Sequence, residues 1–268
     1  MRTKLIAAGT AAAAMAALLT GCGSSDDDKL TIGIKFDQPG LGLRSGSDYS
    51  GFDIDVARYV AKELGYEADQ IEFKETPSPQ RENMLQSGQV DMIFATYSIT
   101  DARKEKVAFA GPYFIAGQDL LVAADNTDIT GPDALDGKKL CSVQGSTSAQ
   151  KVKDDYSTGV QLQEFDTYSK CIEQLAAGTI DAVTTDDIIL AGFAAQPANA
   201  GKLKVVGSPF SEEQYGVGLP KDNDTCQKVN DAITKMIEDG AWQKAVDANT
   251  AEGYTPSAAN PPTPAACS

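Results

Sequence analysis

Apolar residues along this chain fall into two alternating rhythms. Leu30-Thr31-Ile32-Gly33-Ile34 is a short β-branched run suited to a buried strand. Residues 35–50, rich in Gly, Pro and Ser, predict loop. Val56, Ala57, Val60, Ala61 and Leu64 then recur at helical spacing, with Asp53 placed to cap the helix and Gly65 to stop it. A second strand is predicted at Ile71–Lys74, and Thr76-Pro77-Ser78-Pro79 breaks the chain before a helix at Arg81–Gln86. Gly88 ends that helix, and Asp91–Ala95 predicts a third strand.

The alternation continues with strands at Leu120–Val122 and Lys139–Val143, and a helix opening after Gln144-Gly145-Ser146-Thr147. A helix at Tyr168–Ala177, a strand at Asp181–Thr184, a helix at Ile188–Phe193 and a strand at Leu203–Val206 follow. Thr225–Ala248 is a long amphipathic helical region carrying Val229, Ile233, Met236 and Ile237, interrupted near Gly240. The Ala/Pro/Thr-rich remainder has no period and predicts an extended tail. This order of elements predicts an α/β fold with a mainly parallel sheet and no solenoid repeat.

The N-terminus changes the picture of where the fold works. Arg2 and Lys4 precede an Ala/Leu-rich stretch, Leu5–Leu19, closed by Leu19-Thr20-Gly21-Cys22, so residues 1–21 read as an export signal. The stretch is shorter than the roughly 20 residues of a spanning helix. Small residues directly before Cys22 resemble the bacterial lipobox, in which that cysteine is acylated and begins the mature chain. Gly23-Ser24-Ser25-Asp26-Asp27-Asp28 has nothing apolar to fold, so residues 22–29 are expected to be a solvated tether on the outer face of a membrane. Setting Cys22 aside leaves Cys141, Cys171, Cys226 and Cys267, an even set that in an exported chain predicts two disulfides with three possible connectivities.

Composition narrows the chemistry. With 268 residues, 42% hydrophobic and 23% charged, the chain is globular in type and long enough for one large or two modest domains. It has no histidine, which removes Ser-His-Asp and Cys-His nucleophile pairs, histidine zinc sites and imidazole acid/base chemistry. A formal net charge of −15 without a basic run argues against nucleic acid. A binding or structural protein, with no metal and no cofactor, is therefore expected over an enzyme.

Four blocks resemble one family in the right order. Gly51-Phe52-Asp53-Ile54-Asp55-Val56-Ala57 is similar to the signature of bacterial family 3 extracellular solute-binding proteins, which serve importers of polar amino acids. Ser98-Ile99-Thr100-Asp101-Ala102-Arg103, followed by Val107 to Tyr113, resembles the family's S-I-T-x-x-R block. Gln144-Gly145-Ser146-Thr147 resembles its second-lobe turn, and Gly178 to Asp186 its G-x-[IVF]-D-A strand leading to an acidic residue. Together they span nearly all of residues 30–250. The resemblance implies a two-lobed, periplasmic-binding-protein-like fold (type II), with lobe 1 at 30–118 plus 215–268 and lobe 2 at 119–214. It places crossings near Gln118–Val122 and Gln214–Gly218, with the ligand between the lobes. The disulfide pairing preferred on this division is Cys141–Cys171 and Cys226–Cys267, one within each lobe.

The resemblance also implies a site. Arg103 matches the arginine that forks onto the ligand's α-carboxylate, Thr96 and Ser98 match positions completing its polar contacts, and Gly145, Ser146 and Thr147 open a helix whose N–H groups meet the same carboxylate. Asp186 matches the acceptor of the ligand's ammonium, and Asp187 is expected to cap a helix. Arg81, the Asp186-Asp187-Ile188-Ile189-Leu190-Ala191-Gly192 stretch and the segment Gly33 to Gly42 resemble members that bind glutamate, with Lys35 and Arg44 adding positive charge near the distal end of the ligand. The expectation is a lipid-anchored, monomeric receptor for L-glutamate, with aspartate, glutamine or asparagine as further ligands, working with a membrane permease. A receptor for another polar amino acid and an exported dehydratase of the same fold are the alternatives.

Overall fold

The computed structural model of the chain describes residues 29–156 and 159–268. The expected export signal, the acylated Cys22 and the tether up to Asp28 lie outside the described residues.

β1 (Leu30–Ile34) forms as its apolar run predicts. The segment expected to be loop instead folds on itself into a small antiparallel sheet, β2 (Asp37–Gln38), β3 (Gly42–Ser45) and β4 (Asp48–Ser50). Strands of two to four residues have too little period to be seen among glycines and serines. α1 (Phe52–Glu63) buries Phe52, Ile54, Val56, Ala57, Val60 and Ala61. Its N-cap is Gly51, not Asp53: Gly51 sits at φ 122°, and a Cβ there would lie 2.0 Å from the Leu41 carbonyl oxygen. No side chain could occupy that place.

β5 (Ile71–Glu75) and β6 (Met92–Ile93) flank β1 in parallel, with α2 (Arg81–Gln86) between them in sequence. β6 is shorter than the expected strand at Asp91–Ala95. α3 (Asp101–Lys104) is a single turn leading into β7 (Ala108–Ala116), all of whose residues are buried. The chain then changes sheet at Gly117.

β8 (Gln118–Ala123) and β9 (Lys139–Val143) begin a second sheet, followed by α4 (Thr147–Asp155), β10 (Gln161–Phe165), α5 (Tyr168–Ala176), β11 (Ala182–Asp186), α6 (Asp187–Ala194) and β12 (Leu203–Val205). Residues 206–212 return to the first sheet, where β13 (Glu213–Leu219) inserts between β6 and β7. The strand orders are β5-β1-β6-β13-β7 and β10-β9-β11-β8-β12. In each, four strands run in one direction and a single strand, β13 in the first sheet and β8 in the second, runs against them, so the sheets are mainly parallel with one reversed strand. β13 pairs antiparallel with both its neighbours.

α7 (Cys226–Glu238) and α8 (Ala241–Asn249) split the long amphipathic region at Gly240. Val229, Ile233 and Met236 of α7 are buried against the first sheet's core, each contributing about 1.5–3 kcal/mol. Trp242 of α8 packs edge-on to Phe52, and its Nε1 donates to the Tyr113 carbonyl at 2.8 Å.

The tail after α8 is more closely held than its composition suggests. It runs antiparallel to β7, the edge strand of the first sheet. Asn260 bonds both backbone groups of Ile115, the Ala265 N–H donates to the Gly111 carbonyl, and Ser268 exchanges bonds with Phe109. It thus covers an open edge that would otherwise template association. The Cys226–Cys267 bridge fastens it to α7, and Cys141–Cys171 joins β9 to α5.

Closing a loop with a sequence separation of 41 residues restricts the unfolded chain by about 4 kcal/mol in the loop-entropy model. Cys226→Ser with Cys267→Ser is therefore expected to lower the unfolding free energy by about 2–4 kcal/mol in urea denaturation. An unchanged midpoint would show that the β7 pairing alone holds the tail.

Candidate functional site

Side chains from both lobes converge on a small, narrow cavity between them. Gln38, Ser78, Arg81, Thr96 and Arg103 line it from the first unit. Ser146, Thr147, Ser148, Tyr168, Thr185, Asp186 and Ile189 line it from the second. The units touch directly around it. Ser98 Oγ lies 3.3 Å from Thr147 Oγ1, and Ser169 donates to Asp37 through both its N–H and its hydroxyl.

Arg103 is the best-connected residue of this seam. α3 presents it one turn after Thr100, whose hydroxyl accepts from the Arg103 N–H. Its Nη1 donates to the Ser98 carbonyl at 2.7 Å, its Nη2 crosses to the Gly145 carbonyl at 3.2 Å, and its Nε lies 3.5 Å from Glu82. Burial, and then the neighbouring Arg81, lower its pKa to about 10, so it stays cationic at neutral pH. The Tyr97 ring lies against both guanidinium groups, 4.2 Å from Arg81 and 4.9 Å from Arg103.

Across the cavity, Ser146 is the N-cap of α4 and accepts from the Ala149 N–H at 3.0 Å. First-turn N–H groups stand outside the intrahelical ladder, so the start of α4 offers donors and a positive dipole end to an anion. Gly145, at φ 75°, brings the turn so close to Pro79 that a Cβ would meet its backbone at 3.0 Å.

Asp186 ends β11 and occupies the N-cap position of α6. Its Oδ2 accepts from Tyr215 at 2.6 Å, while its Oδ1, fully buried, has no hydrogen-bond partner among the described residues. Burial, reinforced by Glu213, pushes its pKa well above the usual carboxylate range. An ammonium is the group that would reverse this. Asp187 does not cap as expected: it is the first residue of α6, and its Oδ1 accepts from Gly117, the residue at which the chain changes sheet.

The distal cations divide. Arg81 is 2% exposed, donates through Nη1 to the Ala95 carbonyl at 2.9 Å, and leaves Nε without a partner. Lys35 is also buried and donates to Ser78 Oγ at 2.8 Å, and burial followed by repulsion from Arg81 lowers its pKa to about 7. Arg44 is placed elsewhere. It lies exposed on β3, bonded to the Gly46 carbonyl and stacked on Phe36 and Tyr49, and it does not line the cavity.

Sequence reasoning missed the lining residues Ser78, Ser148, Tyr168, Thr185 and Ile189, and two further residues whose contacts matter more. Gln38 lines the cavity from β2, within the segment expected to be loop. Asp53, expected as a cap, is buried beneath the site, where its Oδ2 accepts from the Thr96 N–H at 2.9 Å and its Oδ1 from Tyr113 at 2.8 Å. Thr96 has φ 45°, alone among the described non-glycine residues in having a positive φ, and Asp53 holds it there. The signal available was the acidic residue inside the Gly51–Ala57 block, which marks importance but not partner.

Two α/β lobes closing on a cavity lined by fixed charges of both signs define a clamp-type receptor for a small zwitterion. The chain belongs to the bacterial extracellular solute-binding proteins, family 3, whose model matches residues 30–250. It is 46% identical to the glutamate-binding protein GluB of Corynebacterium efficiens over 94% of this chain and 92% of that one. It is 36% identical to the glutamine-binding protein GlnH of Bacillus subtilis, over 82% and 80%. Among solved structures, an ancestral arginine-binding protein bound to glutamine superposes with a TM-score of 0.76 at 36% identity, covering 83% of this chain and 97% of that one.

Burial raises the Asp53 pKa from 3.8 to about 6, against the opposing bonds from Tyr113 and Thr96. Folded Asp53 thus keeps its proton where unfolded Asp53 has lost it. The folded state binds more protons in this window, and the stability from this group falls as pH rises from about 4 through about 6. Asp186 acts in the same sense. Asp53→Asn is expected to make the slope of ligand-free melting temperature against pH shallower between about pH 4 and 6. An identical slope would mean that Asp53 does not titrate there.

Proposed function

We propose that this chain is the extracytoplasmic receptor of an ABC importer for L-glutamate, anchored by lipid at Cys22 and delivering its ligand to the permease through lobe closure. The observation that carries this reading is charge complementarity around one narrow cavity. Asp186, with its unpartnered buried oxygen, receives the α-ammonium. Arg103 and the start of α4 receive the α-carboxylate, each Nη keeping a further N–H beyond those given to Ser98 and Gly145. Arg81, which lines the cavity and has an unpartnered Nε, remains for a second anionic group, which a glutamate side chain supplies, while Lys35 does not line the cavity and adds positive charge through its bond to Ser78.

The glutamate-binding relatives support the ligand. The glutamine-binding relatives support an amide as a further ligand. Turnover is not part of the proposal: the family and these relatives are binding proteins, and the cleft offers no histidine for acid/base work.

Calorimetry on the unlipidated chain is expected to show one-to-one binding of L-glutamate without product formation. Arg103→Ala and Asp186→Ala should each weaken binding by at least about 100-fold, because each leaves a ligand charge desolvated and unpaired. Arg81→Gln should cost glutamate more than glutamine, and tighter binding of arginine than of glutamate would overturn the assignment.

A further inference from the structure

Gln38 carries an unassigned task. It is 1% exposed, lines the cavity, and its Nε2 has no hydrogen-bond partner among the described residues. A buried amide donor without an acceptor is costly unless a ligand completes it. With Arg103 and α4 committed to the α-carboxylate and Asp186 to the ammonium, the lobe 1 wall made by Gln38, Ser78 and Arg81 is left for the side-chain end. β2 also lies on the seam itself, since its Asp37 accepts from Ser169 of α5, so Gln38 sits beside a contact between the two lobes.

The amide is held loosely in its present orientation. Gln38 Oε1 lies 3.3 Å from Thr96 Oγ1, but that hydroxyl lies 2.7 Å from the Ala95 carbonyl, and it has one hydrogen to give. The nearer carbonyl takes it. A half-turn of the amide would put Nε2 against Thr96 Oγ1 as donor and turn Oε1 toward the cavity, at little cost. We infer that Gln38 determines side-chain specificity by turning its amide, donating to the distal carboxylate of an acidic ligand in one orientation and accepting from the distal amide of a neutral one in the other. This inference rests on the glutamate reading of the cleft and names how one site takes both glutamate and glutamine.

The test compares the wild-type chain with Gln38→Met and Gln38→Glu, titrated with L-glutamate and with L-glutamine at pH 8. Wild type binds both. Gln38→Met, similar in shape but without the amide, weakens both by about 10- to 100-fold. Gln38→Glu weakens glutamate by at least as much, since a carboxylate faces a carboxylate, and keeps glutamine within about threefold, since it still accepts from the ligand's amide. Affinities for both ligands within about twofold of wild type in Gln38→Met, or equal losses in Gln38→Glu, overturn the inference and leave the glutamate reading standing. A wild-type chain that binds neither ligand removes that reading and this inference together.

Discussion

A buried guanidinium must be surrounded by acceptors, and those of Arg103 come from both lobes. Ser98 and Glu82 belong to the first lobe and Gly145 to the second, so the closed state satisfies a charge that an open state would return to water. The carbonyl of Gly145 reaches it because glycine lets the turn press against Pro79, and Thr100 fixes the one-turn helix that presents it. A ligand carboxylate entering between Arg103 and the start of α4 adds an acceptor shared by both sides of the seam. Under the proposed function, binding and closure would be stabilised by the same group, which would make occupancy a change of shape.

A second dependence runs through Asp53. The face of α1 that packs on the first sheet also carries this carboxylate to the underside of Thr96, where it fixes a left-handed residue that costs roughly 1 kcal/mol or more to hold. The Tyr113 hydroxyl completes the arrangement from β7, and the Tyr113 carbonyl is taken by Trp242 of α8. Helix packing and ligand-facing backbone are thus joined through one buried acid, so a change in the core beneath α1 reaches the cavity by way of Thr96.

Much of this was legible from residue order. β1, α2 and β9 form within the limits that their apolar patterns and breakers predict, because burial and turn residues act locally. β10 was not foreseen: Gln161–Phe165 is a polar edge strand whose pairing with β9 supplies what its own sequence lacks. Arg44 illustrates a limit of reading charge by position, since the alternation of β3 turns it outward and only the sheet's existence reveals that parity. Asp53 and Gln38 depend on Thr96, which is 43 and 58 positions away, and no local pattern encodes such a meeting.

The chain's charge looks at odds with an anionic ligand until distance is considered. Its excess of acidic groups acts through solvent and is screened beyond roughly 8 Å at physiological ionic strength, whereas Arg103 and Arg81 line the cavity itself. Nor does the absence of histidine leave the site without groups that respond near neutral pH. Burial brings Lys35 down to about 7 and Asp53 up to about 6, so desolvation supplies what imidazole supplies elsewhere. Both shifts come first from burial, and solvent reaching either group would return it toward its ordinary range. An anion near Lys35 would favour the charged form that burial disfavours, so the protonation of the buried groups and the charge of a ligand are coupled.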